Sequence, residues 1–426
     1  MREWTRRHTL RFGGRLLATG LAGWVGGSKL AHATRAAGRH ASTGRGASSR
    51  AQVFDVIVVG AGVFGMWTAW HLLQRGRRVA VVDAHGPANA RASSGGESRV
   101  LRVAYGSAHH YAEWAYESLQ MWKAFAARHE GPLFFPSGVL WLTHARDSYV
   151  KASLRSLAAL GVPHRILDRA DLARRYPQIA LDGIQLGFLE EGSGAILARR
   201  AVQAVMREVA AMGGAIIRAQ AGPFSPRGEG VQVPLADGRM LEAGQAVYAC
   251  GPWLPKLFPE IIGNGILVTR QEVYFIGPPA GSVAYGPDRL PVWADFNNGD
   301  IFYGIPDLEG RGMKLAHHAF GEAVDPETQD RRLTPALVDE SRRFLARRFP
   351  ALAKAPLLGG RVCQYSVRAG EHFLIDRHPD DERVLLVGGG SGHGFKHGPR
   401  LGAFVADLVE GRQTRIPERF RLPDAE

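Results

Sequence analysis

The segment from Phe54 to Asp83 is the most constraining feature of this 426-residue chain. It carries three glycines in the spacing G-x-G-x-x-G, which are Gly60, Gly62 and Gly65. The apolar, β-branched run Phe54–Val59 predicts a buried parallel strand before them, and the apolar periodicity over residues 66–73 predicts a helix after them. A second strand is predicted over Val79–Val82, and Asp83 ends it. The sequence therefore predicts a β-α-β unit here.

This β-α-β unit is typical of a nucleotide-binding turn. Glycines allow a tight turn and a close approach of the backbone, the helix N-terminus faces a pyrophosphate, and an acidic residue reaches a ribose hydroxyl. Asp83 would repel a 2′-phosphate, so the pattern favours FAD or NAD over NADP. The alternative is a glycine-rich turn that serves only the packing of the helix on the strand.

A second glycine-rich turn lies near the other end of the chain. Val384–Val387 predicts a buried strand, and a helix is predicted from about Phe395. The glycines between them are Gly388, Gly389, Gly390, Gly392 and Gly394. A positive helix end beside a flavin ring would stabilise the negative charge that reduction creates there. The two turns together predict a cofactor held from both ends of one polypeptide.

The formal net charge of +13 raises the question of nucleic-acid binding. Residues 1–50, however, contain ten Lys or Arg residues and one acid, Glu3. They carry +9 of the total, which leaves +4 for the other 376 residues. Because the basicity mainly belongs to this N-terminal segment, we do not expect a nucleic-acid partner.

The N-terminal segment has the pattern of an export signal. Twin arginines stand in Thr5–Arg11, a weakly hydrophobic stretch follows over Leu16–Val25, and Ala31-His32-Ala33 is a candidate cleavage site. These features predict a twin-arginine signal peptide over residues 1–33 and export through the Tat machinery to the periplasm or extracellular space. The alternative is a disordered basic extension.

Residues 34–52 are rich in Ala, Gly, Ser and Arg and are predicted to be a flexible linker. The chain has no uninterrupted run of 18 apolar residues, so no stable membrane insertion is expected.

Strand and helix patterns alternate along the rest of the chain, which predicts an α/β fold. Phe134–Thr143 and Leu267–Ile276 are candidate strands of a separate sheet, which Ile301–Tyr303 and Met313–His318 would extend. A hairpin is predicted around Asp237-Gly238, over residues 228–239. No cluster of His, Cys, Asp or Glu has metal-ligand spacing, so no metal is expected.

The sequence resembles the family of monomeric sarcosine oxidase and N-methyltryptophan oxidase, within the D-amino-acid-oxidase-like flavoproteins. The resemblance covers Phe54–Arg419 and is strongest in three blocks. They are the first glycine-rich unit, S-R-V-L-R-V-A-Y-G over residues 98–106, and the segment over residues 361–396 that begins R-V-C-Q-Y-S-V-R and ends G-H-G-F-K.

The resemblance implies a Rossmann-type FAD-binding domain with an interleaved α+β substrate domain built on a mixed sheet. The FAD-binding domain is expected over residues 53–134, 195–266 and 368–420. The substrate domain is expected over residues 135–194 and 267–367. A monomer is expected.

The resemblance also implies which residues hold FAD. Cys363 matches the cysteine that attaches the flavin covalently through a thioether to its 8α-methyl group, and Arg99 matches an arginine near the flavin. The two turns supply the other candidates, namely Gly60, Gly62, Gly65, Asp83, Gly390, Gly392, His393 and Gly394. The alternatives are an inert Cys363 with dissociable FAD, a disulfide between Cys250 and Cys363, and a His393 that only packs against the ring.

Six further residues match catalytic positions of the family. Lys314 matches a lysine near flavin N5 that promotes the reaction of reduced flavin with oxygen. Arg102 and Lys396 match the cations that bind a substrate carboxylate. The residues that match pocket-lining positions are Tyr303, Tyr365 and His318. The alternatives are surface cations for the first three and ordinary core residues for the last three.

One segment departs from the family pattern. The family carries S-H-H-G before the arginine block, whereas this chain has Ser93-Ser94-Gly95-Gly96. Because Ser94 and Gly95 replace two histidines, the second of which lies over the active site in the family, we expect a reshaped pocket. The substrate is therefore left open between sarcosine, a bulkier N-alkylated or cyclic amino acid, and a primary amino acid.

The resulting hypothesis is an FAD-dependent amine oxidase. It would oxidise a secondary amino acid by hydride transfer to flavin N5, release an imine that hydrolyses, and reduce O2 to H2O2. The alternatives are an amino-acid dehydrogenase with another electron acceptor and a flavin-binding accessory protein without turnover.

Overall fold

The computed structural model describes residues 53–423. The predicted signal peptide and the predicted linker, residues 1–33 and 34–52, lie outside this range. The strands, in chain order, are β1 (Val53–Val59), β2 (Val79–Asp83), β3 (Arg99–Leu101), β4 (Phe134–Phe135), β5 (Val139–Thr143), β6 (His164–Leu167), β7 (Leu186–Glu190), β8 (Gly194–Ile196), β9 (Ala215–Arg218), β10 (Ser225–Arg227), β11 (Gly230–Pro234), β12 (Met240–Tyr248), β13 (Leu267–Ile276), β14 (Val292–Asn297), β15 (Asp300–Ile305), β16 (Met313–His317), β17 (Leu357–Val367), β18 (Leu374–His378) and β19 (Asp381–Gly388).

The α-helices of the same range are α1 (Val63–Gln74), α2 (His109–Ala126), α3 (Ser148–Ala159), α4 (Arg169–Arg175), α5 (Ala198–Ala211), α6 (Leu254–Leu257), α7 (Pro259–Ile262), α8 (Pro335–Arg348) and α9 (Gly398–Val409). No helix of residues 53–423 is long and apolar enough to cross a membrane.

The first sheet is the parallel sheet that the first glycine turn predicts. Its parallel strands stand in the order β9-β2-β1-β12-β19, and β18 pairs antiparallel with β19. The hairpin β10–β11 extends the sheet beside the first half of β12. Strand β1 is largely buried, and its residues Ile57 and Val58 are 0% exposed. Its apolar, β-branched sequence predicts this burial.

Helix α1 crosses α9 at very short range. A Cβ atom added at Gly402 of α9 would lie 2.6 Å from the backbone carbon of Trp67 in α1. Glycine therefore lets the two backbones approach, and the indole of Trp67 packs edge-on against Trp122 and Phe125 of α2. This packing fixes the start of α1, and with it the first glycine turn.

The second sheet is mixed and has the order β17-β13-β16-β15-β14-β5-β7-β6. Its β14–β5 pair is parallel, and its other pairs are antiparallel. The strands expected at 267–276, 301–303 and 313–318 all lie in this sheet, which confirms the separate sheet predicted from the sequence. The α/β fold predicted from the sequence is likewise confirmed.

The predicted strand Phe134–Thr143 is wrong as a single element. It is two strands, β4 and β5, which lie in different sheets. Pro136 lacks a donor for a sheet hydrogen bond, and Gly138 has a φ of +79°, so the chain turns between them.

A small third sheet, β3-β8-β4, joins the parts of the chain that the sequence assigns to different domains. Its strands β4 and β8 span the predicted domain boundaries at 134/135 and 194/195. Those boundaries stay a prediction, because the third sheet pairs strands across them.

Candidate functional site

A large cavity of about 650 Å³ lies at the carboxyl ends of the parallel strands. Residues that end or follow four of these strands line it, namely Gly60, Asp83, Cys250 and Gly388. Ligands of open α/β sheets bind at this edge, because the strand ends and helix N-termini converge there. The fold therefore places a binding cavity where the glycine turns predict one.

The three glycines of the first turn have different tasks. Gly60 has a φ of +106°, and a Cβ there would lie 2.4 Å from the carbonyl oxygen of Ala249. A Cβ at Gly65 would lie 1.9 Å from the carbonyl oxygen of Gly60. A Cβ at Gly62, in contrast, would meet only Ser94 Oγ at 3.5 Å. Gly60 and Gly62 line the large cavity, whereas Gly65 lies behind the turn and lets α1 pack on β1.

Asp83 faces the large cavity at the end of β2. Its carboxylate accepts hydrogen bonds from the backbone N–H groups of Ala61 at 2.9 Å and His85 at 2.8 Å. The carboxylate is thereby oriented from both sides and still borders the cavity. This geometry suits the ribose contact that the sequence predicts for Asp83.

The second turn lines the opposite part of the large cavity with Gly390, Gly392 and Gly394. Gly392 has a φ of +77°, and a Cβ there would lie 2.6 Å from the ring of Tyr365. The helix predicted from about Phe395 is confirmed, and its first turn is a 3-10 helix. A 3-10 helix spans Gly394–His397, and α9 begins at Gly398. Pro399 in the first turn of α9, which has no N–H, suits a helix start at this point.

Cys363 lines the large cavity from β17, and the half-buried thiol lies 3.9 Å from Nη2 of Arg99. Residues 363–366 all line this cavity. Side chains alternate along a strand, so Cys363 and Tyr365 lie on one face of β17 and Gln364, which is 0% exposed, lies on the other. Cys250 and Cys363 are both free thiols, so the alternative of a disulfide between them is wrong.

The Ser94-Gly95 departure lies beside the first turn, and the reshaped pocket stays a prediction. Ser94 Oγ accepts a hydrogen bond of 3.0 Å from Val63 N, the first residue of α1. A Cβ at Gly95 would lie 1.9 Å from the carbonyl oxygen of Asn89, so this backbone excludes any side chain there. Arg99 packs on Gly96 and lines both cavities of the site.

A small cavity of about 100 Å³ adjoins the large one. The two share Arg99, Tyr365, Gly392 and Phe395. All six residues predicted to be catalytic line the small cavity, together with His393, which does not line the large one. The six are Arg102, Tyr303, Lys314, His318, Tyr365 and Lys396. They come from β15–β17, from the segment after β3 and from the second turn, so the fold brings together residues up to 294 positions apart in the chain.

Lys314 is a buried cation on β16, and its side chain is 3% exposed. Its Nζ donates a hydrogen bond of 2.9 Å to the carbonyl oxygen of Ser98. Burial and the neighbouring guanidinium of Arg99 lower the pKa of Lys314 to about 7. The alternative of a surface lysine is therefore wrong.

Arg102 and Lys396 approach each other across the ring of Tyr105. The guanidinium carbon of Arg102 lies 4.3 Å from the ring centroid, and Lys396 Nζ donates a hydrogen bond of 2.9 Å to the hydroxyl. Burial, followed by the charge of Arg102, holds the pKa of Lys396 well below its usual range. Lys396 is 6% exposed and Arg102 is half-buried, so neither is a surface charge.

Tyr365 and His318 also meet in the small cavity, where His318 Nδ1 lies 3.4 Å from the hydroxyl of Tyr365. Burial and the nearby cations Arg102 and Lys396 lower the pKa of His318 to about 4, so this imidazole is neutral at physiological pH. Burial raises the pKa of Tyr303, which keeps its hydroxyl protonated.

Sequence reasoning missed two residues that support the site. Glu190 at the end of β7 is 0% exposed, and it accepts hydrogen bonds from the backbone N–H groups of Val103 at 2.7 Å and Ala104 at 3.1 Å. It thus holds the segment after Arg102. Tyr105 is the second residue, and its place in the 98–106 block was the available signal.

The lining of the large cavity fits a dinucleotide. Gly62 and Gly390 leave space that a side chain would fill, since the nearest atom to a Cβ among the described residues, apart from chain neighbours, would be Ser94 Oγ at 3.5 Å and Gly394 Cα at 3.8 Å respectively. The start of α1 points at this space with Gly62 as its N-cap. Residues 53–423 contain no group of three His, Cys, Asp or Glu side chains that could hold a metal ion.

Known proteins are similar to this chain over most of its length. It is 30% identical over 362 residues to monomeric sarcosine oxidase of Bacillus sp. (strain B-0618), a match that covers 84% of this chain and 92% of that protein. It is 28% identical over 360 residues to N-methyl-L-tryptophan oxidase of Salmonella arizonae, covering 84% of this chain and 94% of that protein.

Among solved structures, the fold is similar to NikD, an unusual amino acid oxidase essential for nikkomycin biosynthesis, with a TM-score of 0.73 and 23% identity. That match covers 87% of this chain and 97% of NikD. Residues 55–408 match the model of a protein family described as "DAO: FAD dependent oxidoreductase". The chain therefore belongs to the FAD dependent oxidoreductase (DAO) family, as its resemblance to the sarcosine oxidases and N-methyltryptophan oxidases predicts.

Proposed function

We propose that this protein is an FAD-dependent oxidase of secondary amino acids, N-methylated or cyclic, with O2 as the electron acceptor. The observation that carries the proposal is the small cavity, where Arg102, Lys396 and Lys314 meet beside the residues that would hold FAD. This pocket is small, cationic and lined with apolar side chains, which suits a compact substrate with one carboxylate. The apolar lining includes Val100, Val139, Val292 and Ile301.

Arg102 and Lys396 would bind the substrate carboxylate. Arginine offers a planar fork for two oxygens and lysine a point charge, so the pair fixes both the position and the orientation of a carboxylate. Because burial disfavours the charged form of Lys396, an arriving carboxylate supplies the missing counter-charge and draws a proton onto the amine.

The same cations act on the substrate nitrogen. An amino acid in water carries an ammonium group, whose proton must leave before a hydride can be removed from the adjacent carbon. Four cationic side chains line this cavity, Arg99, Arg102, Lys314 and Lys396, and they disfavour a further positive charge, so the site favours the neutral amine. The proton would leave to solvent, and the neutral imidazole of His318 can accept a hydrogen bond from the remaining N–H.

When bound, FAD would supply a two-electron acceptor for the hydride of the C–H bond next to the substrate nitrogen, and O2 would take up the two electrons with two protons to give H2O2. The substrate becomes an imine, which one water hydrolyses to a carbonyl compound and an amine. Lys314 would stabilise the negative charge that develops on oxygen, because its ammonium is fixed by Ser98 and shielded from water.

Cys363 would tether FAD by a thioether. It lines the large cavity as a free thiol beside Arg99. The S–C bond would form as the thiol and the 8α-methyl group each lose one hydrogen, with the two electrons passing to O2. Such a bond would prevent loss of the cofactor from an exported protein.

The proposal is tested by mixing the purified flavoprotein, without oxygen, with a panel of amino acids. The panel contains sarcosine, N-methylalanine, N-methyltryptophan, proline and their primary counterparts, and dimethylamine serves as a control without a carboxylate. We expect bleaching of the flavin by at least one secondary amino acid, and no bleaching by dimethylamine.

Admission of air should then restore the flavin and yield one H2O2 per substrate consumed. If no member of the panel bleaches the flavin, the oxidase proposal is wrong. Bleaching that only an artificial acceptor reverses would instead identify a dehydrogenase.

A further inference from the structure

Tyr105 lies directly behind the small cavity, and it contacts both cations proposed to bind the carboxylate. Its ring packs under the guanidinium of Arg102, with 4.3 Å from the guanidinium carbon to the ring centroid. Its hydroxyl accepts the 2.9 Å hydrogen bond from Lys396 Nζ. Tyr105 does not line the small cavity itself, so it acts on a substrate only through these two neighbours.

Two histidines, the half-buried His393 and the buried His397, contact the same hydroxyl. His393 Nδ1 lies 3.1 Å from Tyr105 Oη, and His397 Nε2 lies 2.8 Å from it. Burial, followed by the charge of Lys396, holds the pKa of both imidazoles well below the usual range, so both are neutral. A tyrosine hydroxyl has one proton to donate, so the three partners of Tyr105 cannot all accept from it.

The contacts of His393 decide which partner receives that proton. His393 Nε2 lies 2.9 Å from the carbonyl oxygen of Glu371, which can only accept, so Nε2 carries the imidazole proton. Nδ1 of this neutral ring is then an acceptor, and Tyr105 donates to it. The hydroxyl oxygen is left to accept from the other two partners, Lys396 and His397.

His397 makes the remaining hydrogen bond to the Tyr105 hydroxyl. It donates from Nε2 to the hydroxyl oxygen of Tyr105, which leaves its Nδ1 without a proton. That Nδ1 is buried and has no hydrogen-bond partner among residues 53–423. The buried imidazole therefore serves the tyrosine hydroxyl alone, and the hydroxyl oxygen is fixed as an acceptor that points at Lys396.

Arg102 and Lys396 need such a support because burial and the charge of Arg102 disfavour a second positive charge on Lys396. Like charges at short range repel each other, and the repulsion is strong where water is excluded. The electron-rich ring face attracts the guanidinium, while the hydroxyl oxygen attracts the ammonium. Glu190 adds a buried negative charge behind the same segment, through its hydrogen bonds to Val103 and Ala104.

We propose that Tyr105 is a positioning residue for carboxylate binding, because its ring and its hydroxyl hold Arg102 and Lys396 at the two ends of one side chain. His393 and His397 orient the hydroxyl by fixing the direction of its hydrogen bonds. This inference rests on the proposed function in one respect, namely that the small cavity binds a carboxylate.

The test measures carboxylate binding without turnover. Acetate is titrated into the oxidised flavoprotein, and its dissociation constant is obtained from the perturbation of the flavin absorption spectrum. Acetamide is the uncharged probe of the same shape. We expect acetate to bind wild type more tightly than acetamide.

Tyr105→Phe keeps the ring and removes the hydroxyl, so acetate affinity should fall about tenfold, the effect of losing one hydrogen bond to a charged group. His397→Leu should weaken acetate binding in the same direction, and His397→Gln, which keeps a donor, should restore much of it. Acetamide binding should change little in all three variants.

Tyr248→Phe is the matched control, because it also removes a buried hydroxyl, one that donates a 3.0 Å hydrogen bond to the carbonyl oxygen of Gly222 in the first sheet. It should leave acetate binding unchanged. The positioning role is wrong if Tyr105→Phe binds acetate like wild type, or if acetate and acetamide weaken equally.

These results are separable from the oxidase proposal. A protein that binds acetate through this device, and whose flavin no amine bleaches, would retain the positioning role and lose the proposed reaction. If the protein oxidises amines and Tyr105→Phe leaves the acetate affinity unaltered, the proposed reaction is retained and the positioning role is lost.

Discussion

Nζ of Lys314 donates a 2.9 Å hydrogen bond to the backbone carbonyl oxygen of Ser98, and this bond ties the second sheet to the segment that leads into β3. The ammonium is thus held by one strand and one backbone oxygen, at 3% exposure. It lines the small cavity between the residues that would hold FAD and those that would hold the substrate. A lysine in this position is fixed before any ligand arrives.

Lys314→Met should separate the two halves of the reaction. Methionine keeps most of the volume and removes the charge, so the reaction of reduced flavin with O2 should slow about 100-fold, the usual effect of deleting one preorganised electrostatic group. Reduction of the flavin by substrate should change much less. Stopped-flow absorbance measures both rates, and the exposed Lys354→Met is the control that should alter neither. Equal slowing of both steps would contradict the role of Lys314.

The lowered pKa of Lys314 also predicts a dependence of stability on pH. A lysine with a pKa of about 7 in the folded state and an ordinary value of 10.5 in the unfolded state binds its proton more weakly when folded. The folded state therefore bears a cost below pH 7, of the order of a few kcal/mol, that disappears as pH rises towards 10.

Lys314→Met removes this cost. The free energy of unfolding of Lys314→Met should exceed that of wild type by the largest amount at pH 6. This excess should decline steadily towards pH 10. Urea denaturation of both proteins at pH 6, 8 and 10 measures the difference, with Lys354→Met as the variant that should show no such trend. A difference that is independent of pH would show that Lys314 titrates normally.

The sequence predicts the nucleotide turn well because local chemistry decides it. Gly60 needs a positive φ, Gly65 needs the absence of a Cβ, and Asp83 ends a strand whose neighbours are all apolar. All three residues lie within about 25 positions of one another, so the local sequence is enough to predict the structure of this turn.

Motif patterns and the family resemblance together named the cavity-lining residues, and the fold brings them together. What could not be predicted is how the cations are held. Tyr105 meets Lys396 across 291 positions of chain, and Glu190 meets Val103 across 87, so no local pattern contains either contact. The requirement for glycine at position 95 could not be predicted either, because it depends on where the fold places the backbone oxygen of Asn89.

Cys363→Ser tests the covalent tether. Acid precipitation of wild type should leave yellow flavin on the polypeptide, whereas Cys363→Ser should release it into the supernatant, because serine cannot form the thioether. Cys250→Ser is the matched control, since Cys250 also lines the large cavity as a free thiol. It should keep its flavin. Release of all flavin from wild type would remove the tether.

Gly62 and Gly65 provide the sharpest contrast between cofactor binding and folding. The comparison uses the Cys363→Ser background, from which flavin is expected to be removable. A Cβ at Gly65 would lie 1.9 Å from the carbonyl oxygen of Gly60, so Gly65→Ala should lower the free energy of unfolding of the flavin-free protein by about 1–3 kcal/mol. A Cβ at Gly62 meets Ser94 Oγ at 3.5 Å, an ordinary contact, so Gly62→Ala should leave that free energy nearly unchanged.

The two variants should rank differently when FAD is added back. Gly62→Ala places a methyl group in the large cavity at the start of α1, where a pyrophosphate would approach the backbone, so its FAD affinity should fall at least tenfold despite a normal fold. Fluorescence quenching on titration with FAD measures the affinity, and urea denaturation measures the stability. If Gly62→Ala binds FAD as tightly as its parent, the first turn does not hold the cofactor, and the large cavity must be filled in another way.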